Sequence, residues 1–298
     1  MSTKKAPGLK ERAVITSLKV LPQHTMSAMA GRLFGLKTPA PLRKLAVTTY
    51  GRITGVDFDE VKEPLESFTS LQNFFTRELK DGARPVDTSE GAVVAPCDGA
   101  WGASGTIDDD TALQLKGRPY SIRMLLQDDQ LAARFDGGVY STLYLSPRDY
   151  HRFHAPVAGD VDTLRYIPGA LWPVNGAGLF HIDGLFTKNE RIIAFLRPTD
   201  RPDALIAMVA VGATMVGKIK IAFDDDVTTN IRQPTTTVRH YDPPVHLDKG
   251  QEWGRFLFGS TIVLLATPGL FDLAAEPEGT PLRLGTRIGR LRTRADKA

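Results

Sequence analysis

Cysteine is almost absent: Cys97 is the only one in 298 residues. That excludes an intramolecular disulfide, a zinc ribbon and a Cys-x-x-Cys redox site. Long apolar runs are missing as well. The longest uncharged stretch near the start, residues 20–31, holds Pro22, Gln23 and His24. It falls short of the ~20 apolar residues that a membrane span needs. Residues 204–217 are apolar but stop at Lys218. No h-region followed by a small-residue cleavage site marks a secretory signal. Acids are scarce in the first 55 residues, where Glu11 alone stands against ten Lys/Arg. The net charge of +3 is too small to indicate a nucleic-acid partner. A basic arm on an acidic body points instead to an anionic partner for the arm. The phosphate-binding loop GxxxxGK[ST], the zinc motif HExxH and the GxSxG elbow are all lacking. Gly176-Ala177-Gly178 is half of a dinucleotide loop without the strand and helix that would frame it.

What is present divides the chain near residue 80. Met26, Met29, Ala30, Leu33 and Phe34 follow i, i+3, i+4, i+7, i+8, the apolar face of a helix. Pro41 can open a second helix, with Leu42, Leu45, Ala46 and Ile53 on its apolar face. Ser70 is a candidate N-cap for a third, which carries Leu71, Phe74, Phe75 and Leu79. Such helices ordinarily pack on a core. Their basic bias favours a second reading, an amphipathic region lying on an anionic bilayer. Beyond residue 90, short runs rich in Val, Ile, Thr and Tyr alternate with Gly, Pro and Asp. Residues 139–145, 192–196, 205–211, 218–223 and 261–266 read as strands. Long helices between them are lacking, which argues against a doubly wound sheet. The expected fold class is α+β: a helical, membrane-associating part over 1–80 and a mostly antiparallel β-rich catalytic body over 81–298. The basic tail after Gly285 is expected to be mobile.

Three residue types could act together. His151 and His154 follow a predicted strand in Asp149-Tyr150-His151-Arg152-Phe153-His154. One could be a general base, since imidazole titrates near the operating pH. They could equally be backbone-satisfied, and a metal site would need a third ligand at no recognisable spacing. No metal is expected. Asp98, between Cys97 and Gly99, could be an acid or a turn cap. Cys97 reads as a small buried residue. Ser260 ends a glycine-rich stretch, Gly250 to Gly259, and heads an apolar strand. Asp98, His154 and Ser260 could form an acid–base–nucleophile set, since chain order varies between triads.

The stretch Lys249-Gly250-Gln251-Glu252-Trp253-Gly254-Arg255-Phe256, followed by Gly259-Ser260-Thr261, resembles the self-cleavage site of the phosphatidylserine decarboxylase family. Residues 145–156, Asp98-Gly99, Pro168-Gly169, Val174-Asn175, Asn189-Glu190-Arg191 and Val211-Gly212-Ala213-Thr214 resemble that family in order. So do Phe74-Phe75-Thr76-Arg77-Glu78-Leu79 and Arg84-Pro85-Val86-Asp87. Phe258, Trp172, Pro173, Met215 and Lys218 depart from the family pattern, and Trp172 could reshape a headgroup pocket.

The resemblance implies that Ser260 attacks the Gly259 carbonyl, with His154 as base oriented by Asp98. The ester then eliminates, leaving chains 1–259 and 260–298, the second starting with a pyruvoyl group. Decarboxylation needs an electron sink, which a cofactor usually supplies. Here covalent pyruvate would do so by forming a Schiff base with phosphatidylserine, giving phosphatidylethanolamine and CO2. His151 would position substrate. The implied partners are phosphatidylserine in an anionic membrane and the chain's own two halves as a heterodimer, with further dimerisation possible. The implied location is peripheral, on the cytoplasmic side of the cell membrane. Competing readings are a serine hydrolase using Asp98, His154 and Ser260, a pyruvoyl decarboxylase of a free amino acid, and a non-enzymatic membrane-surface binding module.

Overall fold

The computed structural model describes residues 23–114, 117–214, 218–231, 234–257, 260–274 and 276–292. Helices α1 (Gln23–Phe34) and α2 (Arg43–Thr54) come first. A 3-10 turn at Ala40–Leu42 leads into α2, with Pro41 inside it, and Gly55 closes α2 in the left-handed region. Helix α3 (Leu71–Phe75) starts where expected, its cap Ser70 accepting from the Asn73 amide at 3.1 Å. It stops earlier than the apolar pattern implied. Leu79 leaves the helix to pair with Val61, and the Thr76 carbonyl is taken by Arg152.

The body consists of β1 (Ala92–Val94), β2 (Gly99–Thr106), β3 (Thr111–Gln114), β4 (Arg118–Ser121), α4 (Ile122–Leu126) and α5 (Asp129–Ala133). It continues with β5 (Val139–Leu145), β6 (Arg152–His154), β7 (Gly159–Ile167), α6 (Gly176–His181), α7 (Leu185–Lys188), β8 (Arg191–Pro198) and β9 (Ile206–Val211). It closes with β10 (Ile219–Ile221), β11 (Thr237–Leu247), β12 (Glu252–Phe256), β13 (Ser260–Ala266), β14 (Phe271–Leu273), β15 (Pro281–Leu282) and β16 (Arg287–Leu291). Eight strands form one antiparallel sheet in the order β11-β7-β8-β9-β13-β5-β2-β15. Small sheets β10-β12-β6 and β1-β16-β14 and the hairpin β3-β4 complete it. This is the α+β class with mostly antiparallel sheets that the strand pattern implied.

One core unites Leu143, Ile262 and Leu264 of the large sheet with Phe153, Trp253 and Phe256 of the small one. A second core, built on Val209, Val263 and Leu265, is covered by Leu125, Leu185 and Phe186 of the short helices. With both faces covered, β9 and residues 192–196 of β8 are continuously apolar rather than alternating.

One expectation changes. The tail after Gly285 is a paired strand through Leu291, because β16 joins β1 and β14; Arg294 and Lys297 lie outside the described residues. β11 runs through Pro243-Pro244, with a bulge between His240 and Val245. The strand is at the sheet edge, where a missing N–H is tolerated. The apolar residues of α1 and α2 are mostly uncovered: Met29, Leu33, Leu42, Leu45 and Ile53 are exposed, Ile53 by 80%. Among the described residues there, Val47, Val56, Val61, Phe68 and Phe74 form a buried cluster.

Gly99 sets the entry to β2. Its φ is +146°, and a Cβ would lie 2.2 Å from the Tyr144 carbonyl oxygen. Gly82 also has a positive φ, +81°, but open space around it. Gly99→Ala is expected to lower the urea midpoint by the equivalent of about 3 kcal/mol or more, and Gly82→Ala by about 1 kcal/mol. Equal shifts would show that the close approach of β2 to β5 is not what demands the glycine.

Candidate functional site

The register of the large sheet collects the predicted residues. Ala100 lies opposite Tyr144, and Tyr144 opposite Thr261. Ser260, the first residue of β13, pairs with Leu145. Asp98 immediately precedes β2, so it arrives at the same end of the sheet. His154 ends β6, whose backbone amide donates to the Pro96 carbonyl at 2.7 Å, two residues before Asp98. Phe258 and Gly259 lie outside the described residues.

Asp98 is buried, and its carboxylate is gripped by Arg84. Nε of Arg84 donates to Oδ1 at 2.8 Å and to Oδ2 at 3.0 Å, and Nη2 donates to Oδ2 at 2.6 Å. The Leu284 amide adds a bond to Oδ1 at 2.8 Å. The same Nη2 reaches Glu60 Oε2 at 2.8 Å. Burial works against the Arg84 charge, but the bonds from Asp98 and Glu60 outweigh it and hold its pKa above the ordinary value. Among the described residues, Asp98 makes no hydrogen bond to His154. In the sequence Arg84 belongs only to the Arg84-Pro85-Val86-Asp87 motif and carries no role of its own. No local pattern announces a pair spanning 14 residues.

Both histidines are buried and neutral. Burial pushes the His154 pKa down to about 4, the Pro96 carbonyl and the Asp98 charge opposing and Arg152 adding to the shift. Among the described residues its Nδ1 has no hydrogen-bond partner. The Tyr150 ring lies 5.8 Å away, roughly parallel. His151 is fully buried, and burial followed by the Arg77 charge takes its pKa to about 3. Its Nε2 sits 2.9 Å from the Ser146 carbonyl, which makes Nε2 the protonated nitrogen. Its ring stacks on Phe75 at 3.9 Å.

The segment of α3 and the residues after it therefore clamps the loop that carries these histidines. Arg77 Nη2 donates to the carbonyls of Arg148 at 2.9 Å and Asp149 at 3.2 Å. Arg152 donates to the Thr76 carbonyl and to Glu252. Asp149 closes the loop by accepting from the amide and hydroxyl of Ser146, both at 2.7 Å.

A cavity of about 210 Å³ opens beside Thr261, lined by Trp101, Thr142, Tyr144, Leu179 and Phe186. The Thr261 hydroxyl is buried without a partner among the described residues. Asn189 ties two loops together, with Nδ2 donating to the carbonyls of Trp172 and Gly212 and Oδ1 accepting from the Trp172 amide. Arg191 gives its guanidinium to the carbonyls of Met124, Leu125, Thr187 and Asn189. Cys97 is fully buried and burial raises its thiol pKa, so it is not a nucleophile.

A buried carboxylate, a buried imidazole and a serine that heads a central strand thus lie toward one end of the sheet. The phosphatidylserine decarboxylase family profile matches residues 71–290. Proenzymes named phosphatidylserine decarboxylase from Anaeromyxobacter sp. (strain K) and Myxococcus xanthus (strain DK1622) are 38% and 40% identical to it over 283 residues. Each alignment covers 94% of this chain and 99% of the relative. The corresponding Brevibacillus brevis proenzyme is 36% identical over 290 residues, 97% of this chain and 98% of its own. The chain belongs to the phosphatidylserine decarboxylase family, and it is an enzyme, a decarboxylase.

Two measurements test this geometry, both on the Ser260→Ala chain. Arg84→Met strands a buried carboxylate and is expected to lower stability by about 3–5 kcal/mol in urea unfolding; a loss near zero would show that Asp98 has other support. The histidines set an acid limit. Unfolded imidazoles take up protons near pH 6.5, whereas folded His154 and His151 resist until about 4 and about 3. Stability should therefore fall as pH drops from 6.5 to about 4, by up to about 2.7 kcal/mol per pH unit for two protons. His151→Gln should halve that slope, and an unchanged slope would contradict the burial argument.

Proposed function

We propose that this chain decarboxylates phosphatidylserine to phosphatidylethanolamine after cutting itself between Gly259 and Ser260. The observation that carries the reading is the convergence of Asp98, His154 and the start of β13 at one sheet end, in a chain whose relatives bear the name proenzyme. His154, neutral and buried, is the base for the Ser260 hydroxyl. Asp98 holds an anionic charge beside it, fixed in place by Arg84. His151, whose own ring is fully buried, positions the substrate indirectly by ordering the loop that Arg77 clamps. The two products are residues 1–259 and 260–298, which stay together as a heterodimer.

The Ser260-derived pyruvoyl group supplies a ketone that serves as electron sink for loss of CO2. The start of β13 suits it, since the cavity beside Thr261 is largely apolar and is lined by Thr142 and Thr261, whose hydroxyls have no partner among the described residues. Apolar surroundings weaken the hydration of a reacting carboxylate. The serine hydrolase and the non-enzymatic module gain no support from any relative above.

Residues 1–80 are the docking region and 81–298 the catalytic body in this reading. No helix among the described residues is long and apolar enough to cross a membrane. Met29, Leu33, Leu36, Leu45 and Ile53 instead present an exposed apolar surface, with Arg32, Lys37, Lys44 and Arg52 exposed around it. Apolar residues rimmed by cations suit the headgroup layer of an anionic bilayer. The enzyme is then peripheral, on the cytoplasmic face of the cell membrane.

Intact mass is the decisive test. The wild-type chain should give two species split after Gly259, the smaller lighter than a serine-started chain by one ammonia, and Ser260→Ala should give one. An uncut wild-type chain that releases CO2 from phosphatidylserine at full rate would overturn the mechanism. Replacing Leu33 and Leu45 by Asp should sharply reduce sedimentation with phosphatidylserine vesicles while cleavage proceeds. Unchanged sedimentation would remove the docking role.

A further inference from the structure

The small sheet β10-β12-β6 contains a row of like charges. Lys220 of β10 is registered opposite Arg255 of β12, and Arg255 opposite Arg152 of β6. Residues in direct register share a face and lie a few ångströms apart, and like charges so placed repel. All three line one polar cavity of about 350 Å³. Arg77 lines it too, 4% exposed, with Nε and Nη1 lacking partners among the described residues.

Carboxylates compensate this cluster only in part. Arg152 is paired with Glu252 at 2.9 Å and Glu78 at 3.4 Å. Glu252 is 3.9 Å from Arg255. Glu78 is shared with Lys62. Glu63 is the one acid lining the cavity, and its Oε2 has no partner among the described residues. Lys220 has no ion pair among the described residues. On the other side of Arg77, Asp98 and Asp149 are already engaged by Arg84 and Ser146. Four cations facing one acid, three of them in a repulsive row, make an arrangement that a bound anion would stabilise. Guanidinium and ammonium donors with small polar neighbours, here Ser70, Asn73 and Thr76, suit phosphate oxygens.

The location identifies which phosphate. One wall is α3, against which α1 with its exposed Met29 and Leu33 packs. The opposite wall ends at Leu257, three residues before Ser260, which limits their backbone separation to about 11 Å. The cavity thus lies between the bilayer-facing layer and the strand end where decarboxylation is proposed. We propose that the Arg152–Arg255–Lys220 row, with Arg77 behind it, is a phosphate site that holds the phosphodiester of the lipid headgroup. The assignment to lipid rests on the phosphatidylserine reading; the affinity for phosphate does not.

Two arms separate those claims. In the first, the full-length Ser260→Ala chain is titrated with inorganic phosphate and with glycerophosphoserine while its melting temperature is followed. Both ligands should raise it. Lys220→Gln in that background should raise the ligand-free melting temperature, because repulsion is relieved, and abolish the ligand-induced rise. No rise in the parent chain, or an equal rise in Lys220→Gln, overturns the site. In the second arm, phosphatidylserine turnover in mixed micelles is compared for wild type, Lys220→Gln, Arg255→Gln and Arg255→Lys. The glutamine variants should raise KM by about tenfold to a hundredfold, the value of one charged hydrogen bond. Arg255→Lys should recover part of that loss, and inorganic phosphate should compete with lipid in wild type. A fall in kcat at unchanged KM would overturn the headgroup assignment. Phosphate binding in the first arm without a KM effect in the second would leave a free-phosphate site and likewise overturn it. A cleaved wild type inactive on phosphatidylserine would refute the substrate reading, with the first arm still deciding the site.

Discussion

Arg84 grips Asp98 where neither side chain is more than a tenth exposed. In solvent such a pair is worth little, but in a buried place each ion depends on the other. Two nitrogens on two oxygens also fix the plane of the carboxylate, which a lysine could not do. The contacts reach further than the pair. Glu60 holds the far side of the guanidinium, and the Leu284 amide fills an Asp98 lone pair. Residues 60, 84, 98 and 284 are thereby tied at one point, which joins the N-terminal region, the start of β2 and the C-terminal segment.

The second constraint is the placement of β13. It runs between β9 and β5, paired along its length on both sides, with Ile262 and Leu264 in one core and Val263 and Leu265 in the other. A break just before such a strand removes one covalent bond and leaves both ladders in place. Beyond it, β16 is held between β1 and β14, and β15 adds to β2. These contacts join the residues after 260 to those before it at four separate strands. A chain cut there, as proposed, can remain a single folded body, with residue 260 already the first residue of a paired strand.

Local chemistry explains what could be read from the sequence. Residues 139–145 have the bounds of β5, and Ser70 caps α3, because alternation and capping are decided within a few residues. Asp98, His154 and Ser260 stood out as residue types in unusual turn and glycine contexts, and register brings their positions to one end of the sheet. Other features depend on distant partners. Arg77 reaches across 71 residues to Arg148, and Arg84 across 14 to Asp98. The β11 strand keeps its course through Pro243-Pro244 only because it is an edge. The tail becomes β16 only because β1 and β14 offer it partners. No window of neighbouring residues contains those facts.

The two groups of cations differ in what surrounds them, and that difference has a physical consequence. Arg32, Lys37, Lys44 and Arg52 stand in solvent. Their attraction to an anionic surface acts over a Debye length of roughly 8 Å at physiological salt and fades as salt rises. Arg152 and Arg77 are largely buried, with polar walls around them. An anion seated there is held by directed hydrogen bonds in a medium that salt screens poorly. Rising ionic strength should therefore loosen the protein from vesicles well before it weakens capture of a headgroup already within the cavity. On the proposed reading, attraction to the surface and selection of the lipid are thus separable in one molecule, the first set by solvated charge on and between the first two helices and the second by charge enclosed in a small sheet.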